Sequence, residues 1–386
     1  MNLTFVDDAR ERVRSAYADA LGRHRNDVVT PALLLDLPAA ERNIEAMAAR
    51  MRELPADLRP HIKVHKSPEL AALQITAGAI GVSTATVWEA IVMAASGVES
   101  VFVVNTVAGP DKLAALARLA REAEIALAVD DADNATQIAS AARAAGSTLD
   151  VLVEVDTGMD RAGADSTDEA VELARHVAGL PGVRLRGVTG YEGHCSLTPE
   201  RELRLERERG AMQFLVDTAD AIRAAGLPCP IVSAGGTATW EWTAAFPGVT
   251  ESQAGSYVLM DEFHGAMATE FEQAVTVATT VISRRADRVI VDAGNKSVGA
   301  PGLATMVGHS GVQNFRFDEE HGIFAATPDD ELRVGDTVEL VPGYAPGTVN
   351  WYDAYHVLQD DRVVDIWPIV PRGPGHGGLL GARDDA

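Results

Sequence analysis

The sequence predicts an α/β protein, a (β/α)8 TIM-type barrel followed by a smaller all-β C-terminal domain, with an open doubly wound sheet as the alternative to the barrel. Three observations carry this. Short apolar runs recur at 61–64, 80–83, 101–104, 126–129, 150–155, 185–190, 230–233 and 252–258. Alanine-rich stretches of helical periodicity separate them, for example Asp111 to Glu122 and Ala132 to Ala145. After about residue 264 the long helices stop, and strand-like runs follow closely at Val275 to Ser283, Asp287 to Asp292, Thr337 to Val341, Tyr355 to Gln359 and Val363 to Pro368. Gly335-Asp336 and Asp360-Asp361 punctuate the last of these as turns.

The elements follow in order. Residues 1–28 are polar and helix-prone and form an N-terminal extension. The barrel is expected over 29–263, entered by the run Ala32 to Leu37 after Pro31, with Pro38 opening a helix through Arg52. Its runs are apolar throughout, as a parallel sheet covered by helices requires. Residues 264–386 form the β domain that closes the site, and the glycine-rich tail after Arg372 is expected to be loose.

Composition narrows the function. The chain has 386 residues, 47% hydrophobic, with a formal charge of −23. Such a charge repels nucleic acid and acidic membrane surfaces, so neither is an expected partner. No apolar run approaches the ~18 residues of a membrane helix. The N-terminus lacks a basic region followed by an apolar core, and Cys195 and Cys229 have neither disulfide-scaffold nor zinc spacing. A reducing cytoplasm is the expected compartment.

In a barrel of this type, chemistry sits at the C-terminal ends of the strands. Lys63 stands there, in Arg59-Pro60-His61-Ile62-Lys63-Val64-His65-Lys66. An isolated lysine is more often a surface cation. This one ends an apolar run, where desolvation favours the neutral, nucleophilic amine, whereas Lys66 is expected nearer solvent. Ser233-Ala234-Gly235-Gly236-Thr237 follows the seventh run, in the region where many barrels bind phosphate. Its glycines allow close backbone approach, and Ser233 and Thr237 add hydroxyl donors. A double glycine alone is more often a tight turn. An amine and a phosphate turn together suit pyridoxal 5'-phosphate, an aldehyde that also carries a phosphate.

Arg161, in Asp156-Thr157-Gly158-Met159-Asp160-Arg161, is either a surface arginine or a donor to the cofactor ring and its phenolic oxygen. Tyr191 could stack on that ring, and His194 could act as acid or base, although single residues of these types usually pack. The charged run Arg201 to Arg209 reads as a solvated helix face.

Together these segments resemble the D-threonine aldolase and D-serine dehydratase group, relatives of alanine racemase among the fold-type III pyridoxal-phosphate enzymes. The resemblance runs from Thr30-Pro31-Ala32-Leu33 to Val364-Asp365-Ile366-Trp367-Pro368-Ile369, and includes Tyr191-Glu192-Gly193-His194 and Ala254-Gly255-Ser256-Tyr257-Val258. It implies that Lys63 carries the imine, that Ser233, Gly235, Gly236 and Thr237 hold the phosphate with Tyr257 nearby, and that the enzyme is a head-to-tail homodimer. It also implies a small amino-acid substrate. Relatives carry a histidine and, two residues later, a cysteine or aspartate that bind a divalent metal. Tyr344 and Pro346 stand at those places in Val341-Pro342-Gly343-Tyr344-Ala345-Pro346, so no metal of that type is expected.

The expected activity is a lyase on a β-hydroxy D-amino acid, with retro-aldol cleavage ahead of dehydration. Tyr344, His194 and His65 are the candidate general bases. A metal-independent racemase or epimerase is the alternative. A non-catalytic cofactor carrier fits less well, because the β domain would serve to close a substrate pocket.

Overall fold

The computed structural model describes residues 3–328 and 330–374. The tail expected to be loose lies, from residue 375 onward, outside them.

Eight parallel strands follow one another in sequence order around the barrel: Asp57–Leu58, Val82–Thr84, Ser100–Thr106, Glu124–Val129, Leu149–Glu154, Val183–Thr189, Ile231–Ala234 and Glu251–Ser252. The first strand pairs with the last, Asp57 opposite Glu251. On its other side, Ile80 N–H donates to the Leu58 carbonyl and Ser83 N–H to that of Pro60, which closes the ring. Several of the helices are capped by side chains. Asp36 accepts from Ala39 N–H, Ser67 from Leu70 N–H and Asp131 from Asn134 N–H. Thr86 and Glu89 form a capping box, and Gly146 ends its helix at φ 64°.

Where expectation and structure differ, local geometry gives the reason. Residues 61–64 are not a strand, because pairing ends at Leu58 and Ile62–Val64 turns into a 3-10 helix that carries Lys63. The last run likewise pairs only at Glu251–Ser252, and Ser256–Val258 is a second 3-10 turn. The run Ala32–Asp36 does not belong to the barrel. It lies in the β-domain sheet between Val275–Arg285 (antiparallel) and Ala354–Gln359 (parallel). Its residues Leu33, Leu34 and Leu35 are fully buried, so both faces are apolar and the sequence could not tell which sheet would take it. The short strands Thr305–Met306, Gln313–Phe317 and Gly322–Ala325 add to that domain and lacked a clear apolar signal.

The run Arg201 to Arg209 lies on the helix Arg201–Ala224, but it is not wholly solvated. Arg204 is buried and donates to the carbonyls of Thr198 and Pro199. Glu208 is fully buried, accepts from the Thr243 hydroxyl, and burial pushes its carboxyl up to about 7. Alternating charge in sequence does not reveal which members face inward.

Arg59 ties the ring together. It bonds both oxygens of Glu251, each at 3.0 Å, and reaches Ser100 Oγ at 3.0 Å. Strands of two residues supply few main-chain bonds, so this buried fork carries much of the closure. Glu251→Ala should cost about 3–5 kcal/mol by leaving Arg59 buried and unpaired. The check is chemical denaturation, with a lower midpoint expected and no added intermediate.

Candidate active site

The lysine loop is built by burial and by tethers. Lys63 projects from its one-turn helix into a cavity at the C-terminal end of the barrel. Burial lowers its pKa below the ordinary lysine value; Glu89 acts against this and Arg161 adds to it. The amine lies 5.4 Å from the centroid of the Tyr191 ring. Lys66 is not nearer solvent. It is buried, paired with Glu89, and donates to the Pro371 carbonyl at 3.1 Å. Its ammonium is committed, which leaves Lys63 as the amine that borders the cavity.

Opposite stand Gly235, Gly236 and Thr237, which also line this cavity, with Gly255 and Ser256 beside them. A side chain at Gly236 would meet the Tyr191 ring at 3.2 Å, and one at Gly255 would strike the His61 carbonyl at 2.2 Å. Not every amide of the turn is available. Gly235 N–H donates to Glu192 Oε2 at 3.2 Å, and Thr239 Oγ1 donates to Glu192 Oε1 at 2.5 Å. Burial raises the Glu192 pKa, so the carboxyl that braces the turn resists becoming a full charge there.

Arg161 and Tyr191 complete one wall, the guanidinium carbon 5.9 Å from the ring centroid. Burial pushes the Tyr191 phenol up to about 12. Asp156 shapes the arginine loop by accepting from the N–H groups of Gly158, Met159 and Arg161. Glu154, which the sequence reading missed, borders the cavity 3.8 Å from Arg161. Its carboxyl is pushed up to about 7 by burial, although Arg161 pulls the other way, and its Oε2 lacks a partner. The only sequence signal for it was a charged residue on the inward face of an apolar strand.

Four expected residues do not border the cavity. His65 is fully buried. Its Nδ1 accepts from Ser67 N–H at 3.1 Å and its Nε2 faces Gln74 Oε1 at 3.2 Å. Burial takes its pKa to about 3, so it is a neutral core imidazole and not a base for substrate. Tyr257 is also fully buried, and its hydroxyl accepts from Gln74 Nε2 at 2.8 Å. Its N–H, not its ring, reaches the phosphate-type turn, donating to Thr237 Oγ1 at 3.1 Å. Ser233 Oγ accepts from Gln253 Nε2 at 2.9 Å beneath the cavity floor. His194 packs on Gly158, where a Cβ would sit 2.8 Å from its ring, and its Nδ1 is buried without a partner. Burial lowers its pKa. His65, Gln74, Tyr257 and Thr237 therefore form a buried polar chain from the lysine loop to the glycine turn.

Tyr344 does border the cavity, and so does His264, which the sequence reading did not single out. Their rings stack, centroids 5.9 Å apart and 21° between planes. His264 Nδ1 is 2.8 Å from Asp261 Oδ1. The sequence signal was Asp261-Glu262-Phe263-His264, an i,i+3 acid–histidine spacing, but it fell at the expected domain boundary.

Residues 35–262 match the family described as alanine racemase, N-terminal domain, and residues 274–358 match the putative serine dehydratase domain. The D-threonine aldolase of Arthrobacter sp. is 39% identical over 353 residues, covering 90% of this chain and 93% of the relative. The chain belongs to the D-threonine aldolase and D-serine dehydratase family. It is an enzyme of the pyridoxal-phosphate-dependent lyase type with the fold-type III architecture. Among other members, the D-threo-3-hydroxyaspartate dehydratase of Delftia sp. (strain HT23) is 34% identical, covering 88% of this chain and 96% of that protein. The crystal structure of D-threonine aldolase from Filomicrobium marinum superposes with TM-score 0.88 at 35% identity, covering 92% of this chain and 98% of that one.

The buried chain behind the site yields a prediction. Gln74→Leu strands the His65 and Tyr257 side chains, at about 1–3 kcal/mol for each unsatisfied group. Urea unfolding should show a lower midpoint with an unchanged slope, and a midpoint equal to that of the parent would count against the chain as described.

Proposed function

We propose that the protein binds pyridoxal 5'-phosphate through Lys63 and cleaves a β-hydroxy D-amino acid between its α- and β-carbons, with dehydration as the competing lyase outcome. One observation carries the reading. A buried lysine with a lowered pKa and a glycine turn border the same cavity, in a chain related to a D-threonine aldolase over nine-tenths of its length.

The residues present fit the cofactor. Lys63 supplies the amine for its aldehyde. Gly236, Thr237 and Ser256 surround the place for its phosphate, where a Cβ on Gly236 would press on Tyr191. Ser233, Gly235 and Tyr257 hold that turn from behind. Arg161 serves the phenolic oxygen, with Glu154 keeping the guanidinium in place, and Tyr191 packs against the ring. When bound, the cofactor supplies an electron sink for negative charge at the substrate's α-carbon. The protein's own part is to hold the ring, exclude water, and orient the bond that breaks perpendicular to the ring. His194 supports the arginine loop through Gly158.

The residues do not fit a divalent metal of the family type. Tyr344 contributes a phenol, held protonated by burial and by the charge of Asp261. Pro346, in the first turn of the helix Ala345–Val349, contributes no donor atom. Asp261 is fully buried, with Oδ1 bonded by His264 and Oδ2 by Ala345 N–H. Chemistry at the substrate's side-chain oxygen therefore falls to protein groups.

The reading includes a homodimer in a reducing cytoplasm. Leu303, Val307, Phe315 and Trp351 leave exposed apolar surface on the β domain, which a second copy would cover, and Cys195 and Cys229 are free, buried thiols. Light scattering at twice the chain mass is the expected result. No helix among the described residues is long and apolar enough to cross a membrane.

Incubating purified enzyme with D-threonine or D-phenylserine should release aldehyde and glycine. Lys63→Ala should abolish both the visible absorption band and turnover, a loss of at least about 10³-fold. Exchange of the α-hydrogen with loss of optical activity, and no cleavage product, would select a racemase instead. The lowered pKa of Lys63 also sets a pH dependence. The reactive amine is the unprotonated form, whose fraction rises as pH passes upward through the pKa. Cofactor uptake by apo-protein should therefore climb with pH and level off below the pH at which an exposed lysine would, as followed by absorbance.

A further inference from the structure

Two segments from opposite ends of the fold are zipped together beside the cavity. Glu262 N–H donates to the Pro342 carbonyl at 3.1 Å, Phe263 N–H to the Gly343 carbonyl at 3.2 Å, and Ala345 N–H to Asp261 Oδ2 at 2.7 Å. Asp261 caps its own turn through His264 N–H at 2.8 Å, and the same Oδ1 receives the ring's Nδ1 at 2.8 Å. A carboxylate oxygen accepts at that position, so Nδ1 is the donor there and, in the neutral ring, Nε2 is the acceptor. Tyr344, stacked on the imidazole, keeps its hydroxyl hydrogen because burial and Asp261 raise its pKa. The cavity that Lys63 enters is thus flanked by an oriented proton acceptor and a proton donor.

We propose that His264, oriented by Asp261, takes the proton of the substrate's side-chain hydroxyl, and that Tyr344 donates a hydrogen bond to the same oxygen, in place of a divalent metal ion. The assignment rests on the lyase reading above and extends it to the residue that acts on the substrate's side chain. The step balances. The hydroxyl proton passes to Nε2, and the O–H electron pair becomes the second bond of the aldehyde carbonyl. The Cα–Cβ bond breaks, leaving its electrons at the α-carbon. Asp261 offsets the charge of the imidazolium that forms, as an orienting carboxylate does for a general base. Asp261 is a positioning residue because it acts only through His264.

Four measurements test this. Calorimetric titration of Mn2+ into apo-protein should give no stoichiometric heat; one equivalent of binding that His264→Gln removes would overturn the proposal. In loaded enzyme, His264→Gln should cut aldehyde release from D-phenylserine by about 10²–10⁴-fold. Exchange of the α-hydrogen of D-alanine, which has no side-chain oxygen, should fall far less. Equal losses in both reactions would assign His264 a merely structural role and overturn the proposal. Asp261→Asn should show the same split between the two reactions with a smaller loss. If the parent enzyme releases aldehyde from no β-hydroxy D-amino acid, the lyase reading fails by itself. Spectral titration then judges His264: tighter binding of D-threonine than of D-2-aminobutyrate, lost in His264→Phe, upholds the contact, and no preference in the parent refutes it.

Discussion

Closure of the eight-stranded ring is the constraint on which the rest depends. The amine and the glycine turn lie 170 residues apart and meet only because the first strand pairs with the last, Asp57 opposite Glu251 and Leu58 opposite Ser252. Both strands are two residues long, so main-chain pairing there is sparse. The Arg59–Glu251 fork and the close approach of Gly255 to the His61 carbonyl compensate for it. A buried ion pair is weak evidence of net stability, but an ill-paired one is costly, so the fork penalises alternative registers of these strands.

The β domain is part of the site and not an attachment to it. Its early strand Ala32–Asp36 is drawn from the N-terminal side of the barrel, so the chain enters the domain before it builds the ring. Tyr355 of the β domain donates to the His65 carbonyl at 2.8 Å, and the Pro371 carbonyl receives Lys66. The loop that presents Lys63 is thus clamped from outside while the His65–Gln74–Tyr257 chain holds it from behind. Side chains fixed in this way lose little freedom when a ligand arrives, which favours a defined reaction geometry.

Charge in the site is managed locally, against a chain total of −23. Glu192 and Glu154 both lie near the cavity, and burial raises the pKa of each. Carboxyls that resist ionisation can brace a glycine turn and an arginine without setting a full negative charge against an anionic ligand. Lys63 is the mirror case, an amine whose burial favours the neutral form. Desolvation thus shapes both the buried amine and the carboxyls around it.

Much of this was legible in the amino-acid order. The repeat of short apolar runs and alanine-rich helices specifies a parallel barrel because burial on both strand faces leaves that period. Lys63, Arg161, Tyr191 and the turn with Gly235, Gly236 and Thr237, all of which border the cavity, could be picked out because they follow strand-like runs between bland helices, whereas Tyr344 was marked only by the family resemblance. What residues 61–64 and 256–258 become was not legible, since strand pairing depends on neighbours that arrive from elsewhere in the chain. Nor was the inward turn of Arg204 and Glu208, or the sheet that Ala32–Asp36 would join. His65 and Tyr257 lie beside lining residues in sequence but face the core, because one residue's step along a turn redirects a side chain, and Ser233 sits two residues before the first lining glycine of its turn. The Asp261–His264 pair had a local i,i+3 signal, but the stacking of Tyr344 on His264 was decided only by tertiary structure, which brings residues 261–264 and 342–345 together by hydrogen bonds that no local pattern encodes.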